Sequence, residues 1–220
     1  MLERAALGAP EGLWLRADSQ DGGRGRMGRE WQSPSGNMFA STIVRLGPSD
    51  PPASGLAFVT AVAVRAALAK LAPDIAFLLK WPNDILVGGA KLCGILLERR
   101  EDAVVIGIGV NLSQHPNDLE KPSTSLTALG VPAPLPQIAV ELVAEELALW
   151  IGRWRLGGLA VILTEWRKFA HEAGSAIRAN LPDGEIVEGQ YQDVSDDGAL
   201  TLRLADGSIR AIHAGDVFLI

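Results

Sequence analysis

The richest concentration of chemically capable side chains is a loop of arginines and glycines. Residues 18–34 read DSQDGGRGRMGREWQSP, in which Arg24, Arg26 and Arg29 alternate with glycines. Glycine lets backbone amides approach a ligand closely, and a guanidinium offers a fork of donors that fits a phosphate or a carboxylate. The chain has 26 acidic and 20 basic residues, so such a basic cluster is unusual in it. The loop therefore predicts an anion-binding site, with an ordinary solvated surface loop as the alternative.

Two nucleotide-binding motifs resemble this loop, but its context excludes both. The string GRGRMG satisfies the G-x-G-x-x-G pattern of dinucleotide-binding folds. That site needs a helix directly after the glycines, whereas Pro34 and Gly36 follow here. The Gly-Lys-Ser/Thr ending of a P-loop is absent as well. Trp31, just after the arginines, is either a stacking surface for a flat ligand or a core aromatic.

A second group of charged residues lies in residues 80–94, which read KWPNDILVGGAKLCG. Lys91 begins an apolar strand, where partial burial would hold its ammonium against a bound anion; a solvated edge-strand lysine is the alternative. Lys80 lies on the other side of the turn. Asp84 has two candidate roles, an ion pair with a lysine or a ligand of Mg²⁺. We expect Cys93 to be a small buried residue and not a nucleophile.

A third segment, VVIGIGVNL at residues 104–112, reads as a strand with small residues on one face. Gly107, Gly109 and Asn111 share that face because side chains alternate along a strand. The glycines leave room for a ligand or for another backbone, and tight packing against a helix is the alternative. No metal-ligand spacing relates the three histidines, which are His115, His171 and His213.

The order of the predicted elements indicates an α+β fold. The turns near residues 83, 88 and 101 favour antiparallel hairpins, and we expect a mixed sheet with helices in a larger domain of residues 1–172. Short alternating strands at residues 173–220 predict a small β-barrel, docked on that domain because so small a core is marginal alone. The predicted elements are strands at 13–17, 38–46, 76–80, 85–87, 92–98 and 104–110, and helices at 55–71, 137–154 and 159–171.

Composition excludes several classes of protein. A chain of 220 residues, 48% hydrophobic, with one cysteine needs no disulfide framework and is typical of a reducing cytoplasm. A net charge of −6 argues against general nucleic-acid binding, which needs a basic surface. The charge-free stretch at residues 51–64 is shorter than the roughly 20 residues of a membrane span. We therefore expect a cytoplasmic globular protein without nucleic-acid or membrane partners.

Four strings, in this order, resemble the biotin protein ligases, also called biotin–acetyl-CoA-carboxylase ligases. They are GRGRMGREW, KWPND, KLCGIL and VVIGIGVNL. The likeness covers nearly the whole chain, and its combination of motifs is far more specific than any one of them. It implies a ligase catalytic domain followed by a C-terminal SH3-like barrel.

The resemblance implies a two-step reaction. Biotin and MgATP would give biotinyl-5′-AMP and pyrophosphate, and the biotinyl group would pass to a lysine of a biotin carboxyl carrier protein of acetyl-CoA carboxylase or a related carboxylase. Positive charge would offset the repulsion between the biotin carboxylate and the triphosphate, with no covalent enzyme nucleophile. ATP and Mg²⁺ are the implied cofactors, biotin is the substrate, and Asp84 is the candidate metal residue.

The motif positions imply the site residues. Lys91, Arg24 and Arg26 would be catalytic, with Lys91 contacting the biotin carboxylate and the α-phosphate. Gly94 and Gly107 would shape the ligand floor. The implied substrate-binding residues are Gln20, Gly23, Arg24, Gly25, Arg26, Trp31, Lys91, Gly94, Gly107 and Asn111.

One part of the family pattern has no counterpart in this sequence. The family usually carries a strand and a Ser-Thr-Asn element, which would contact the ureido ring of biotin, ahead of the helix that here begins at Met1. We expect this element to be encoded upstream of Met1. No helix-turn-helix segment is present, so we expect a monofunctional ligase without a DNA-binding domain. The sequence leaves open whether the protein is a homodimer.

Three other functions remain as alternatives. Lipoate attachment is related in fold and chemistry, although the GRGRMG and KWPND strings favour biotin. A noncatalytic biotin sensor would bind biotin without transferring it. A structural module would use the small barrel to bind a partner, with the arginine loop incidental.

Overall fold

The larger sheet has six strands in the order β1-β2-β6-β5-β4-β3, in a computed structural model that describes residues 1–117 and 121–220. Its strands are β1 (Trp14–Ala17), β2 (Met38–Arg45), β3 (Leu78–Lys80), β4 (Asp84–Val87), β5 (Ala90–Arg100) and β6 (Ala103–Val110). Every pair of neighbouring strands in this sheet is antiparallel. This corrects the prediction of a mixed sheet.

Tight turns explain the antiparallel pairing of the consecutive strands β3, β4, β5 and β6. Gly88 and Gly89 join β4 to β5 with φ angles of 57° and 81°, the left-handed values that a two-residue hairpin turn of type I′ requires. Glu101 adopts a φ of 56° at the turn from β5 to β6. Such short links reverse the chain, whereas a parallel neighbour would need a crossover of a dozen or more residues. The predicted hairpins are therefore confirmed.

The two faces of this sheet are covered differently. Helices α2 (Leu56–Leu71) and α3 (Pro136–Arg167) pack on each other and on one face, where alternate residues of β6 such as Ile106 and Ile108 enter the main core. The opposite face is covered only in part by the short helix α1 (Leu2–Ala6), which contacts β5 and β6. The rest of that face, next to α1, is the open side of the sheet.

Helix α3 joins the two helices predicted at residues 137–154 and 159–171 into one bent element. The bend lies at Gly158, whose φ of 69° and ψ of −169° are outside helical geometry. A residue with a Cβ rarely adopts this φ, so glycine suits the bend. Trp154 and Trp166, on the two sides of the bend, are both fully buried, which anchors each half of the helix in the core.

Two helical segments have the length and hydropathy of a membrane span, namely Ala53–Leu71 and Pro136–Arg167. Core helices of water-soluble proteins pass the same test. The first segment is 61% buried over its most apolar window, and the helix α2 within it lies against α3 and the sheet. The second carries the bend at Gly158 and packs on α2. Packing within the protein thus accounts for the apolar face of the first segment, whereas the second is only 33% buried over its most apolar window.

The second sheet has five antiparallel strands in the order β10-β9-β8-β7-β11. Its strands are β7 (Ala176–Asn180), β8 (Ile186–Val194), β9 (Leu200–Arg203), β10 (Ile209–Ile212) and β11 (Asp216–Leu219). We call this part the barrel. The expected domain boundary between residues 172 and 173 lies in the connection from α3 to β7.

The barrel packs directly on the larger part of the chain. Buried residues of β8, including Tyr191, belong to the same continuous core as the helices. The indole N–H of Trp81, just after β3, donates a hydrogen bond of 3.0 Å to the carbonyl oxygen of Gly198 in the barrel. The Arg167 guanidinium at the end of α3 forms an ion pair of 2.7 Å with Asp193. The predicted docking of the barrel is therefore confirmed.

Candidate active site

The arginine–glycine loop connects β1 to β2 and folds back on itself. The Gly25 amide donates a 2.7 Å hydrogen bond to the Arg29 carbonyl, and the Trp31 amide donates one of 2.9 Å to the Gly23 carbonyl. Met27 at the tip is 65% exposed and has a φ of 57°. The loop is thus a small irregular hairpin, held mainly by its own backbone.

The KWPND turn and strand β5 bring two lysines to one carboxylate. Asp84 begins β4, opposite Gly94 in the strand register. Its Oδ1 lies 2.6 Å from the Lys91 Nζ, and its Oδ2 lies 3.9 Å from the Lys80 Nζ. The shorter contact lacks hydrogen-bond geometry, so it is an ion pair without a directed hydrogen bond. Of the two roles predicted for Asp84, the ion pair with lysine is formed; metal binding stays a prediction.

Trp31 lies on a floor made by two glycines of neighbouring strands. Gly94 on β5 and Gly109 on β6 are opposite each other in the register. A Cβ on Gly109 would lie 2.6 Å from the Trp31 ring, and one on Gly94 would lie 2.8 Å from it. The Lys91 ammonium lies over the same ring, 5.3 Å from its centroid. The glycines therefore let the indole rest directly on the sheet.

The predicted catalytic residues line one cavity of about 860 Å³. This volume is within the usual range of small-molecule sites. Arg24 and Arg26 from the loop and Lys91 from the sheet all border it, so the three cations face one pocket. The other predicted residues on its wall are Gln20, Gly25, Trp31, Asp84, Gly94, Gly107 and Asn111.

Gly23 is the exception among the predicted binding residues, because it is buried within the loop and does not line the cavity. A Cβ there would lie 2.3 Å from the Trp31 carbonyl oxygen. Its neighbour Gly22 borders the cavity instead. The structure therefore gives Gly23 a steric role, since only a residue without a side chain fits beneath that carbonyl.

Asn111 is buried at the end of β6 and uses its side-chain amide to hold another segment. Its Nδ2 donates a 3.0 Å hydrogen bond to the carbonyl of Thr124. The segment around Thr124 runs beside Lys91, whose carbonyl accepts a 2.9 Å hydrogen bond from the Thr124 amide. Asn111 thus aligns a wall of the cavity, and its role as a substrate-binding residue stays a prediction.

Arg26 reaches toward the barrel. Its Nη1 lies 3.4 Å from both the Asn83 Oδ1 and the Gly215 carbonyl, so it forms only long hydrogen bonds. Burial lowers the pKa of Arg26, while the charges of Asp216 and Asp84 oppose that shift. An arginine remains protonated in proteins, so Arg26 brings a partly desolvated positive charge to the cavity.

Sequence reasoning missed residues that the barrel and a distant loop bring to the cavity. Asp216 and Phe218 on β11, together with Lys121, line it. The Arg29 Nη2 donates a 2.7 Å hydrogen bond to the Asp216 Oδ1. The Lys121 ammonium lies 4.1 Å from the centroid of the Phe218 ring. No motif marks these three residues, because only the tertiary docking of the barrel places them here.

Nucleophilic and metal chemistry have little support among the described residues. Cys93 is fully buried, and burial raises the pKa of its thiol, so the thiolate is disfavoured. His171 is buried as well, and burial together with the charge of Lys80 lowers its pKa to about 4. Residues 1–117 and 121–220 contain no group of three His, Cys, Asp or Glu side chains placed to hold a metal. The site is built to bind anions.

Comparison with known proteins relates the chain to the biotin protein ligases. Residues 7–111 match the model of the biotin/lipoate A/B protein ligase family, and residues 173–220 match the biotin protein ligase C terminal domain. The biotin–acetyl-CoA-carboxylase ligase of Mycobacterium tuberculosis is 36% identical over 224 residues, covering 99% of this chain and 83% of the relative. The corresponding ligase of Paracoccus denitrificans is 34% identical, covering 98% of this chain and 93% of the relative.

A solved structure shows the same fold. The biotin protein ligase from Aquifex aeolicus in complex with biotin and ATP superimposes with a TM-score of 0.89, covering 100% of this chain and 94% of that one. At 22% identity this likeness concerns the fold alone. Together with the matched domains and the two sequence relatives, it shows that the chain belongs to the biotin protein ligase family.

Proposed function

We propose that this protein activates biotin with ATP and transfers the biotinyl group to a lysine of a biotin carboxyl carrier protein. The convergence of Arg24, Arg26 and Lys91 on one cavity carries the proposal. A reaction that brings a carboxylate against a triphosphate needs positive charge at the meeting point. The names of the sequence relatives support biotin as the substrate and acetyl-CoA carboxylase as the source of the acceptor.

In the first step a carboxylate oxygen of biotin attacks the α-phosphorus of ATP. A bond forms between the carboxylate oxygen and the α-phosphorus. The bond between the α-phosphorus and the oxygen that bridges it to the β-phosphorus breaks, and pyrophosphate leaves with the electron pair. The Lys91 ammonium lies over the Trp31 ring, where it would meet both the carboxylate and the α-phosphate. Its ion pair with Asp84 holds that ammonium in position before the substrates bind.

In the second step the neutral amine of the acceptor lysine attacks the acyl carbon of biotinyl-5′-AMP. An amide bond forms, the bond from the acyl carbon to the phosphate oxygen breaks, AMP leaves, and the amine loses a proton to solvent. Water would compete for the same carbon, so the intermediate must be covered. The exposed arginine–glycine loop, with Trp31 at its base, is the segment placed to cover it.

Magnesium belongs to the proposal as part of the ATP substrate. Mg²⁺ is commonly held by one or two carboxylates and by the substrate phosphates. Asp84 is a carboxylate on the cavity wall beside Lys91, but Lys91 and Lys80 already balance its charge. The phosphates of ATP would therefore supply most of the Mg²⁺ ligands, and Asp84 would supply one.

Partners and location complete the proposal. The acceptor is the carrier protein of acetyl-CoA carboxylase or of a related carboxylase, and the net charge of −6 leaves no general affinity for nucleic acid. The protein works in the cytoplasm. Whether it does so as a homodimer is a question for sedimentation in solution.

A single assay separates this function from its alternatives. We expect purified protein to release pyrophosphate only when biotin, ATP and Mg²⁺ are all present, and to label a carrier-protein lysine, detected by mass spectrometry. Lipoate in place of biotin distinguishes lipoate attachment. Calorimetric binding of biotin without pyrophosphate release would indicate a sensor, and no affinity for biotin or its adenylate would contradict every biotin-based function.

A further inference from the structure

The end of the cavity next to the barrel holds more positive charge than its carboxylates balance. We call this set the cation cluster; its members are Arg26, Arg29, Lys80, Lys91, Lys121, Asp84 and Asp216. The members interact electrostatically with one another. Five cations against two carboxylates leave three positive charges unbalanced among the described residues.

Each carboxylate of the cluster lies closest to a cation other than Lys80 and Lys121. Asp84 lies closest to Lys91, at 2.6 Å, and Asp216 accepts a 2.7 Å hydrogen bond from Arg29. Neither Lys80 nor Lys121 forms a salt bridge shorter than the 3.9 Å contact between Lys80 and Asp84 within residues 1–117 and 121–220. Together with Arg26, which forms only long hydrogen bonds, these two lysines are the cations of the cluster that no described carboxylate neutralises at close range.

Burial makes these two charges costly in the free protein. The Lys80 side chain is only 14% exposed, and Lys121 is partly buried. Burial lowers the pKa of both ammonium groups, and the neighbouring carboxylates compensate only in part. Desolvated cations without close partners are rare unless a ligand uses them, because each loses hydration on folding.

An aromatic ring holds both lysines without neutralising them. The Lys121 and Lys80 ammonium groups lie over the Phe218 ring, 4.1 Å and 5.7 Å from its centroid. A cation is attracted to the face of such a ring, yet the ring carries no net charge. Phe218 therefore positions the lysines and leaves their charge available to an anion, which an aspartate at this place would not do.

The fold places this pair next to Lys91. Lys80 is the neighbour of Lys91 across Asp84. Lys121 is fixed beside Lys91 by the hydrogen bond from the Lys91 amide to the Pro122 carbonyl, 2.9 Å long. In an in-line displacement the leaving group departs opposite the attacking oxygen. Because Lys80 and Lys121 flank Lys91, which would meet the α-phosphate, they are suited to receive the group that leaves that phosphate.

We infer that Lys80 and Lys121, positioned by Phe218 of the barrel, bind the pyrophosphate that leaves in the adenylation step. The inference rests on the proposed function and adds a leaving-group subsite to it. The α-phosphorus to oxygen bond breaks, and its electron pair stays on the pyrophosphate, where the two ammonium groups stabilise the added charge. No proton transfer or further reactant is needed.

The reverse reaction tests this subsite directly. Wild-type protein is given synthetic biotinyl-5′-AMP, Mg²⁺ and inorganic pyrophosphate, and the ATP formed is measured by luminescence. Loss of one charged hydrogen bond raises a dissociation constant by about tenfold or more. We expect Lys121→Met and Lys80→Met each to raise the KM for pyrophosphate by about that factor. Lys168→Met, which removes an exposed lysine outside the cavity, should leave it unchanged.

Phe218 is tested as a positioning residue. We expect Phe218→Leu to raise the KM for pyrophosphate by about threefold through loss of the aromatic face, and Phe218→Tyr, which keeps that face, to restore the wild-type value. Transfer from supplied biotinyl-5′-AMP to the carrier protein uses no pyrophosphate. Transfer that stays measurable in a variant therefore shows that it is folded, so that a raised KM for pyrophosphate is not a result of unfolding.

Two results would overturn the inference in distinguishable ways. If wild-type protein forms ATP and the lysine variants keep its KM for pyrophosphate, the subsite is wrong while the proposed function stands. If wild-type protein neither forms ATP nor transfers biotin, the proposed function fails and the inference fails with it. Calorimetric titration of the free protein with inorganic pyrophosphate provides a readout without turnover, in which the lysine variants should bind more weakly than wild type.

Discussion

Two segments bring positive charge to the cavity, and they are built in different ways. Lys91 stands on β5 beside Leu92 and Cys93, which are fully buried, and its ammonium is held by Asp84. Arg24 and Arg29 stand on a loop whose side chains are mostly exposed. The backbone hydrogen bonds of this loop are chiefly within the loop itself. One cationic group is thus fixed by the sheet and the other is carried by a segment with few anchors.

This contrast fits the two demands of acyl-adenylate chemistry. Charge that stabilises the reaction at phosphorus acts best when it is already in place, because no reorganisation is then needed during the reaction. A cover over the intermediate must instead open for the substrates and close after them. The sheet therefore suits the first task, and the loop suits the second. Substitutions in either segment test this division.

The largest effect is expected at the fixed charge. We expect Lys91→Ala to reduce the rate of adenylate formation about 100- to 1,000-fold, or about 3 to 4 kcal/mol of transition-state stabilisation, because Lys91 is the ammonium that lies over the Trp31 ring, where the carboxylate would meet the α-phosphate. Arg24→Ala, on the exposed loop, should cost about tenfold or less. Pyrophosphate release measures both rates. Full activity of Lys91→Ala would contradict its proposed role, and a larger loss at Arg24 would reverse the contrast.

Sequence patterns predicted much of this arrangement because their signals are local. The three arginines among glycines stand within six residues, so their common chemistry is visible in one stretch of chain. The turns at Gly88 and Glu101 and the apolar helix α2 are also encoded by neighbouring residues. The predicted strands and the two halves of α3 were placed to within a few residues for the same reason.

Other features could not be predicted because they arise only from docking. Asp216 is 187 residues from Arg29 in sequence, and nothing in the string GDVFLI indicates that it closes a cavity. Phe218 reads as an ordinary strand residue until the barrel packs beside Lys121. The packing of Trp31 on Gly94 and Gly109 likewise depends on the strand register, which the turns alone do not fix.

The join between loop and sheet offers a test of intermediate size. Gly107 and Gly109 share one face of β6, but a Cβ at Gly109 would lie 2.6 Å from the Trp31 ring, whereas the nearest atom to a Cβ at Gly107 is 3.7 Å away. We expect Gly109→Ala to displace Trp31 and raise the KM for ATP about tenfold, near 1.4 kcal/mol.

Gly107→Ala is the matched control for this substitution. It adds the same methyl group to the same strand at ordinary contact distance, so we expect steady-state kinetics within about twofold of wild type. Equal effects of the two alanine substitutions on the KM for ATP would mean that the glycines are needed for direct contact with the ligand and not for the packing of Trp31.

The smallest effect concerns the ion pair between Arg29 of the loop and Asp216 of the barrel. Hydrogen bonding and the charge of Arg29 outweigh burial and lower the pKa of Asp216, so the pair is ionised at neutral pH. Both side chains are partly exposed, and such a pair contributes up to about 1 kcal/mol. We expect Asp216→Asn to raise the rate of tryptic cleavage at the loop arginines about fivefold in ligand-free protein, because the loop opens more often.

Glu188→Gln separates this local effect from a general loss of barrel stability. It removes a more exposed ion pair of the barrel, the 2.8 Å contact with Arg178, whose two residues do not line the cavity. Tryptic cleavage in the loop should then stay at the wild-type rate, as followed by mass spectrometry of the fragments. If both variants speed cleavage equally, the barrel protects the loop only through its overall stability. If neither does, the backbone hydrogen bonds of the loop suffice to keep it closed, and the loop is less dependent on its anchor than the contrast with Lys91 requires.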